Sequence, residues 1–161
     1  MAQRKKAKRA HEKNQPHEAI AMLRADHQRV RDLFQAYEAS MDPHAKREIA
    51  EAVFVELETH AQLEKQIFYP TVNEETEEGP ELVKDALEDH QTVTQLIQAL
   101  RDTRDVQAFD ATFTALVRHV EHHMEEEEAA MLPLAEEELE GDLDQLTEEM
   151  QALKQELMAA S

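Results

Sequence analysis

Six side chains of types that bind metal ions recur in this sequence as two sets of three. They are, in chain order, His27, His60, Glu64, His90, His123 and Glu127. Each member of the second set lies 63 positions after its counterpart in the first. Imidazole and carboxylate groups without sulfur suit Fe, Mn, Zn, Co or Cu. Packing alone explains such a repeat poorly, so the sequence predicts a metal site.

Each set ends in a histidine and a glutamate four residues apart, His60 with Glu64 and His123 with Glu127. On an α-helix this spacing places both side chains on one face, about 40° apart. Each pair can therefore bind one ion or two adjacent ions. A buried carboxylate is costly unless it is paired or bound to metal. No Lys or Arg occupies the neighbouring inward positions, so a cation is expected there.

The surroundings of the two sets repeat as well. An Asp-His-Gln triplet contains the first histidine of each set, and a proline follows each glutamate by six residues, at Pro70 and Pro133. We therefore predict two similar helical hairpins, residues 16–70 and 79–133, related by a pseudo-twofold axis.

Amphipathic helices must position these side chains. In four segments the apolar residues alternate at spacings of 3 and 4, which is typical of helices with one buried seam. The histidines and glutamates of both sets lie in these seams, as do Met41 and Ala130. Long helices with short loops pack as an up-down-up-down bundle. The sequence predicts an all-α fold, with a four-helix bundle over residues 16–135.

Proline and aspartate mark the ends of the predicted helices. Pro16 suits the start of the first helix, Asp42 is predicted to cap the second, and Asp105 or a neighbour the fourth. The second helix is expected to end near Tyr69, and a loop over residues 70–79 is predicted to precede the third.

The two ends of the chain differ from the bundle. Residues 1–15 carry six Lys and Arg against one acid, and we interpret them as a basic, disordered arm. Residues 136–161 contain a fifth amphipathic helix with leucines at spacings of 4 and 3. This helix either packs on its own bundle or pairs with a second copy to form a homodimer.

Composition excludes several classes of function. The net charge is −19, and an acidic body repels nucleic acid. There is no cysteine, so thiolate metal sites and disulfides are absent. No apolar run is long enough for a membrane span. We expect a cytoplasmic protein with no nucleic-acid or membrane partner.

The number of ligands indicates more than one ion. Six ligands exceed the four that one zinc ion takes, and two carboxylates near a common axis can each bridge two ions. A dinuclear site is the economical interpretation. Iron is favoured because histidine-rich dinuclear sites suit oxygen chemistry, with Mn or Zn as substitutes. His119, one turn before His123, is predicted either to be a further metal ligand or to support one.

The pattern resembles the hemerythrin-like, or HHE cation-binding, family, whose signature is His … His-x-x-x-Glu … His … His-x-x-x-Glu. The six side chains supply it over roughly residues 17–135. The resemblance implies two non-haem iron ions joined by an oxo or hydroxo bridge, with histidines as terminal ligands and Glu64 and Glu127 as bridging carboxylates. Oxygen-carrying members have another histidine one turn after the first histidine of the second set, where this chain has Thr94.

Three functions are compatible with this resemblance. The leading hypothesis is a di-iron protein that binds dioxygen or a related small oxidant for sensing, storage or delivery. The second is a di-iron enzyme that decomposes peroxide, as a catalase does, or acts in the response to nitric oxide or iron stress. The third is an iron-handling or interaction module without catalysis. Dioxygen, peroxide and nitric oxide are the expected small ligands.

Overall fold

The computed structural model describes residues 17–160, which are mostly helical and contain no strand. Helix α1 spans Glu18–Ala39, and helix α3 spans Gly79–Asp102. Helices α2 and α4 each contain a π-helical turn. Helix α2 consists of Pro43–Leu63, the π-helical turn Glu64–Phe68 and Tyr69–Glu75. Helix α4 consists of Val106–Glu126, the π-helical turn Glu127–Met131 and Leu132–Glu138, and helix α5 spans Leu143–Ala160.

These helices confirm the predicted all-α fold, in which α1 to α4 form the bundle and α5 is an additional C-terminal helix. Two predicted caps are also confirmed. The carboxylate of Asp42 accepts the Ala45 N–H at 3.0 Å, and that of Asp105 accepts the Ala108 N–H at 2.8 Å. Pro16, the predicted start of the first helix, lies outside the described residues. None of the described helices is long and apolar enough to cross a membrane.

Met41 is a correction to the predicted seam of α1. The helix ends at Ala39, and Met41 is 93% exposed. Asp42 and Pro43 begin the next helix so early that the apolar pattern of α1 runs on into the connection between the helices. Periodicity alone therefore overestimates the length of this helix.

Proline explains the π-helical turns. Pro70 lacks the N–H that an α-helix would donate to the carbonyl four residues earlier, and its ring crowds that carbonyl. In the turn before it, the Tyr69 N–H instead reaches the carbonyl of Glu64, five residues back. Helix α4 repeats this arrangement before Pro133. One extra residue in each turn lets both helices continue through their prolines.

Two predictions fail because of these turns. Helix α2 continues to Glu75, so the predicted loop over residues 70–79 is wrong except at residues 76–78. Ala130, placed in the seam of α4 by its spacing, is exposed, while Leu132 and Ala135 are buried. A π-helical turn rotates the face that the following residues present, and a pattern based on 3.6 residues per turn does not anticipate that rotation.

The buried apolar side chains of residues 17–160 form two clusters, and the six candidate metal ligands lie between them along the helices. On α1, Leu23 belongs to one cluster and Val30 to the other, with His27 between them. On α3, Ala86 and Ile97 flank His90 in the same way. The apolar clusters thus hold the helices together on both sides of a polar layer.

Helix α5 packs against the bundle of its own chain. Leu143, Leu146 and Met150 are buried in the same cluster as Ile20 and Leu23 of α1. The predicted packing of this helix on its own bundle is thus confirmed, and pairing with a second copy stays a prediction. Helix α5 thereby closes one of the two apolar clusters beside the polar layer.

Gly79 allows α3 to begin against the end of α2. A Cβ atom at this position would collide with the Val72 carbonyl oxygen. We expect Gly79→Ala to lower the free energy of unfolding by about 1–3 kcal/mol, as overpacking does, in urea denaturation followed by circular dichroism. Gly141→Ala is the matched control, because nothing lies within 4 Å of its added Cβ. Equal stability of the two variants would refute this reading of the contact.

Candidate metal centre

The six predicted side chains come together from all four helices of the bundle. Five of the residues are buried, and the side chain of His90 is 12% exposed. Their potential ligand atoms form two groups, each with all atoms within 4.8 Å of one another. We call these groups the first half and the second half of the centre. The first half consists of His27, His60, Glu64 and Glu127, and the second half of Glu64, His90 and His123.

Both glutamates face imidazoles of both halves. The two oxygens of Glu64 lie 3.3 Å from His60 Nε2 and 3.1 Å from His90 Nε2. Those of Glu127 lie 3.2 Å from His27 Nε2 and 3.4 Å from His123 Nε2. A carboxylate with one oxygen toward each half is arranged as a bridging ligand.

Unsatisfied polar atoms test whether these residues fit a metal ion. Among the described residues, four such buried atoms belong to the first half. They are His27 Nε2, His60 Nε2, Glu64 Oε2 and Glu127 Oε1. They oppose one another as two ion pairs at 3.2 and 3.3 Å but make no hydrogen bond. A buried polar atom without a hydrogen bond costs roughly 1–3 kcal/mol. Two imidazole nitrogens and two carboxylate oxygens facing one another fit a divalent cation, which would satisfy all four.

Charge compensation stabilises the centre without a metal ion. Burial alone would lower the pKa of His60, but the charge of Glu64 and the hydrogen bond to Asp26 outweigh burial and raise it well above its ordinary value. The same competition, with Glu127 as the main partner, raises the pKa of His123 to about 9. His60 and His123 thus carry protons at neutral pH, and a cation that binds their nitrogens must displace those protons.

Carboxylates also contact the outer nitrogens of three imidazoles. His60 Nδ1 lies 2.9 Å from Asp26, and His123 Nδ1 lies 3.2 Å from Asp89. His27 Nδ1 lies 2.6 Å from a carboxylate oxygen of Glu128. Such partners fix the tautomer and orientation of a metal-binding imidazole and increase its basicity.

Tyr69 is a residue of the centre that the sequence analysis missed. Its hydroxyl lies 2.6 Å from Glu127 Oε2, 3.0 Å from Glu64 Oε1 and 3.1 Å from His90 Nε2. Burial, followed by the charges of both glutamates, raises the pKa of Tyr69 well above its ordinary value. The hydroxyl therefore keeps its proton and donates a hydrogen bond to one of the two carboxylates.

The repeat gave no signal for Tyr69, because the residue 63 positions later is Leu132. On a regular α-helix, Tyr69 would point about 140° away from Glu64. The π-helical turn brings it to the same side. Pro70 was the available signal, since a proline inside a helix predicts such a turn.

His119 and Thr94 lie around the centre. His119 is half-buried and belongs to neither half, so its role as a ligand stays a prediction. Thr94 borders a cavity of about 50 Å³ that reaches all four histidines of the centre. Most other lining residues are apolar: Val30, Leu57, Ala61, Val93, Ile97, Val120 and Met124.

Comparison with known families agrees with this geometry. The model of the hemerythrin HHE cation-binding domain matches residues 18–135, most of the chain. The chain belongs to the hemerythrin HHE cation-binding family. The resemblance inferred from the sequence is thereby confirmed. No curated protein matches this hemerythrin-like chain. No solved structure matches it either.

The Tyr69 hydroxyl should stabilise this hemerythrin-like centre mainly when metal is absent. Without metal, Tyr69→Phe leaves two buried carboxylates short of a donor, so we expect a loss of about 1.5–3 kcal/mol in the free energy of unfolding. With metal bound to those carboxylates, the loss should be smaller. Thermal and urea unfolding of both forms measures the difference.

Tyr37→Phe is the matched control for this comparison. Tyr37 is also buried, and its hydroxyl donates to Asp110 at 3.0 Å, outside the centre. Its removal should destabilise both forms equally. If Tyr69→Phe also costs the same with and without metal, the hydroxyl does not serve the centre in the way described.

Proposed function

We propose that this chain is a cytoplasmic, non-haem di-iron protein that binds dioxygen or a related small oxidant within residues 16–135. The observation that carries the proposal is the position of Glu64 and Glu127 between two pairs of histidines, with one oxygen of each glutamate toward either pair. Histidine and carboxylate ligands without sulfur suit iron. Bound iron would supply the redox chemistry and the coordination positions for the small ligand.

Different side chains would bind each of the two ions. His27 and His60 would bind one ion, and His90 and His123 the other. Glu64 and Glu127, each with one oxygen toward either half, would bridge the ions and neutralise part of their charge. The small ligand would bind reversibly at these ions, and its sensing, storage and delivery all require such binding.

The cavity supports a small and weakly polar ligand. It borders His27, His60, His90 and His123, and its other walls are largely apolar. A volume of about 50 Å³ is enough for a molecule of a few heavy atoms, such as dioxygen, peroxide or nitric oxide. Apolar walls disfavour bulk water, and Tyr69 places one hydroxyl proton close to both carboxylates.

Iron content and absorption test this function directly. We expect about two iron ions per chain, and a visible absorption change when the anaerobically reduced protein meets air. Removal of the gas should reverse the change. His90→Ala should abolish it and leave the helical content unchanged. A native protein that retains iron but gives no such change with dioxygen, peroxide or nitric oxide would contradict the proposal.

A second candidate function is the catalytic breakdown of peroxide, and Thr94 is the observation that favours it. The resemblance to the hemerythrin-like family implies that its oxygen-carrying members have a histidine at this position. Here the Thr94 side chain donates to the His90 carbonyl oxygen at 2.9 Å and lines the cavity. One ligand fewer leaves a more open ion, which favours turnover over carriage.

Oxygen evolution from peroxide decides between the two functions. If the chain is an enzyme, the iron-loaded protein should release oxygen over many turnovers, and Thr94→His should suppress the release by closing the open position. Thr92→His, on the same helix, is the control. A stoichiometric absorption change without turnover would exclude the catalytic function and leave the binding function in place.

A further inference from the structure

We propose that the two halves of the centre bind divalent cations unequally, and that the first half, with His27 and His60, binds before the second half, with His90 and His123. This inference rests on the two-ion centre proposed above. The 63-residue repeat relates the histidines of one half to those of the other. Differences between the halves must therefore arise from the side chains around them.

The first difference lies in the ligand atoms. The first half offers four buried residues, and it contains the four unsatisfied atoms described above. The second half offers three residues, of which His90 is partly exposed. Both glutamates also turn one oxygen toward the second half. The difference therefore lies in the closer grouping and deeper burial of the ligand atoms of the first half, where a cation satisfies more buried polar atoms.

Tyr69 creates a second difference. Its hydroxyl contacts Glu127 Oε2, Glu64 Oε1 and His90 Nε2, the atoms that face the second half. A cation that enters the second half competes with these hydrogen bonds. The position 63 residues after Tyr69 holds Leu132, which has no polar group to oppose a cation in the first half.

The outer partner of His27 has no counterpart at His90. His27 Nδ1 lies 2.6 Å from Glu128, and Arg31 holds that carboxylate at 3.2 Å. The repeat places Lys65 at the position that corresponds to Glu128. In the described part of the chain, His90 Nδ1 is buried without a hydrogen-bond partner. An outer carboxylate therefore holds the ring of His27 at Nδ1, whereas the contacts of His90 are all made by Nε2.

Helix α5 adds a further contact to the first half only. Asp26, which contacts His60 Nδ1, also accepts hydrogen bonds from Arg29 and from Lys154 of α5, each at 2.7 Å. Lys154 thus acts on His60 through one buried carboxylate. Lys154 is therefore a positioning residue for the metal centre, although it lies 94 residues after His60 in the chain.

The corresponding aspartate of the second half is less constrained. Asp89 lies 3.2 Å from His123 Nδ1, and its side chain is 25% exposed, against 2% for Asp26. Among residues 17–160, no lysine or arginine pairs with Asp89 as Lys154 pairs with Asp26. Outer partners of this kind change metal affinity by about 10- to 100-fold, so the supported half should bind first.

Titration of the metal-free full-length chain with Co²⁺ tests the proposal by calorimetry and visible absorption. We expect two binding steps, the first at least about tenfold tighter than the second. The repeat provides a matched pair of ligand variants. His90→Ala should keep the tight step and lose the weak one, whereas His27→Ala should lose the tight step.

Variants outside the ligand set cover the case in which a ligand variant does not fold. Asp26→Asn should weaken the first step by about 10- to 100-fold, and its repeat counterpart Asp89→Asn should affect only the second. Lys154→Met should weaken the first step less than Asp26→Asn does. Lys84→Met, at an exposed lysine of α3, should change neither step.

The outcomes separate this inference from the proposed function. Two equal steps in the native chain, or a weakened second step in Lys154→Met, would overturn the unequal halves and leave the two-ion centre intact. A folded native chain that binds no Co²⁺ and no Fe²⁺ would overturn both.

Discussion

The burial of two glutamates in the middle of a helical bundle is the constraint on which the rest of the structure depends. A buried carboxylate is stable only when a charge or hydrogen-bond donors accompany it. In the described part of the chain, the ion-pair partners of Glu64 and Glu127 are all imidazoles. Imidazole can give up its proton and bind a cation through the same nitrogen, whereas lysine or arginine would exclude the cation. The centre therefore tolerates the metal-free state and remains able to bind metal.

The π-helical turns connect the backbone to this centre. Each turn begins at one of the two buried glutamates and lies before a proline that an α-helix would not accommodate. The extra residue changes the side chains that face inward beyond the glutamate, and in α2 it brings Tyr69 to the carboxylates. A local backbone feature with a clear cause in the sequence thus determines which donor reaches the buried charge.

Periodicity and repeated spacing were sufficient to predict the helices, their caps and the six converging side chains. They failed where local backbone chemistry overrides a period of 3.6 residues per turn. Ala130 and the predicted loop after Tyr69 were misplaced by the π-helical turns, and Met41 by the early cap of α2. The contacts of Asp26 with His60 and Lys154 join residues far apart in the chain, and no spacing rule predicts such contacts. Favourable spacing is also not sufficient to bring a side chain into the centre. His119 lies one turn before His123 and yet belongs to neither half.

A repeated hairpin makes the two halves of the centre similar, so any difference in their chemistry must come from residues that break the repeat. Tyr69 corresponds to Leu132, and Glu128 to Lys65. Tyr69 adds a hydroxyl beside the second half. Lys65, at the position of Glu128, provides no outer carboxylate for His90 like the one that contacts His27. Helix α5 acts in the same direction, because its single lysine reaches the buried aspartate of the first half. Three unrelated features thus support the proposed order of binding, although each half presents two histidines and an oxygen of each glutamate to a cation.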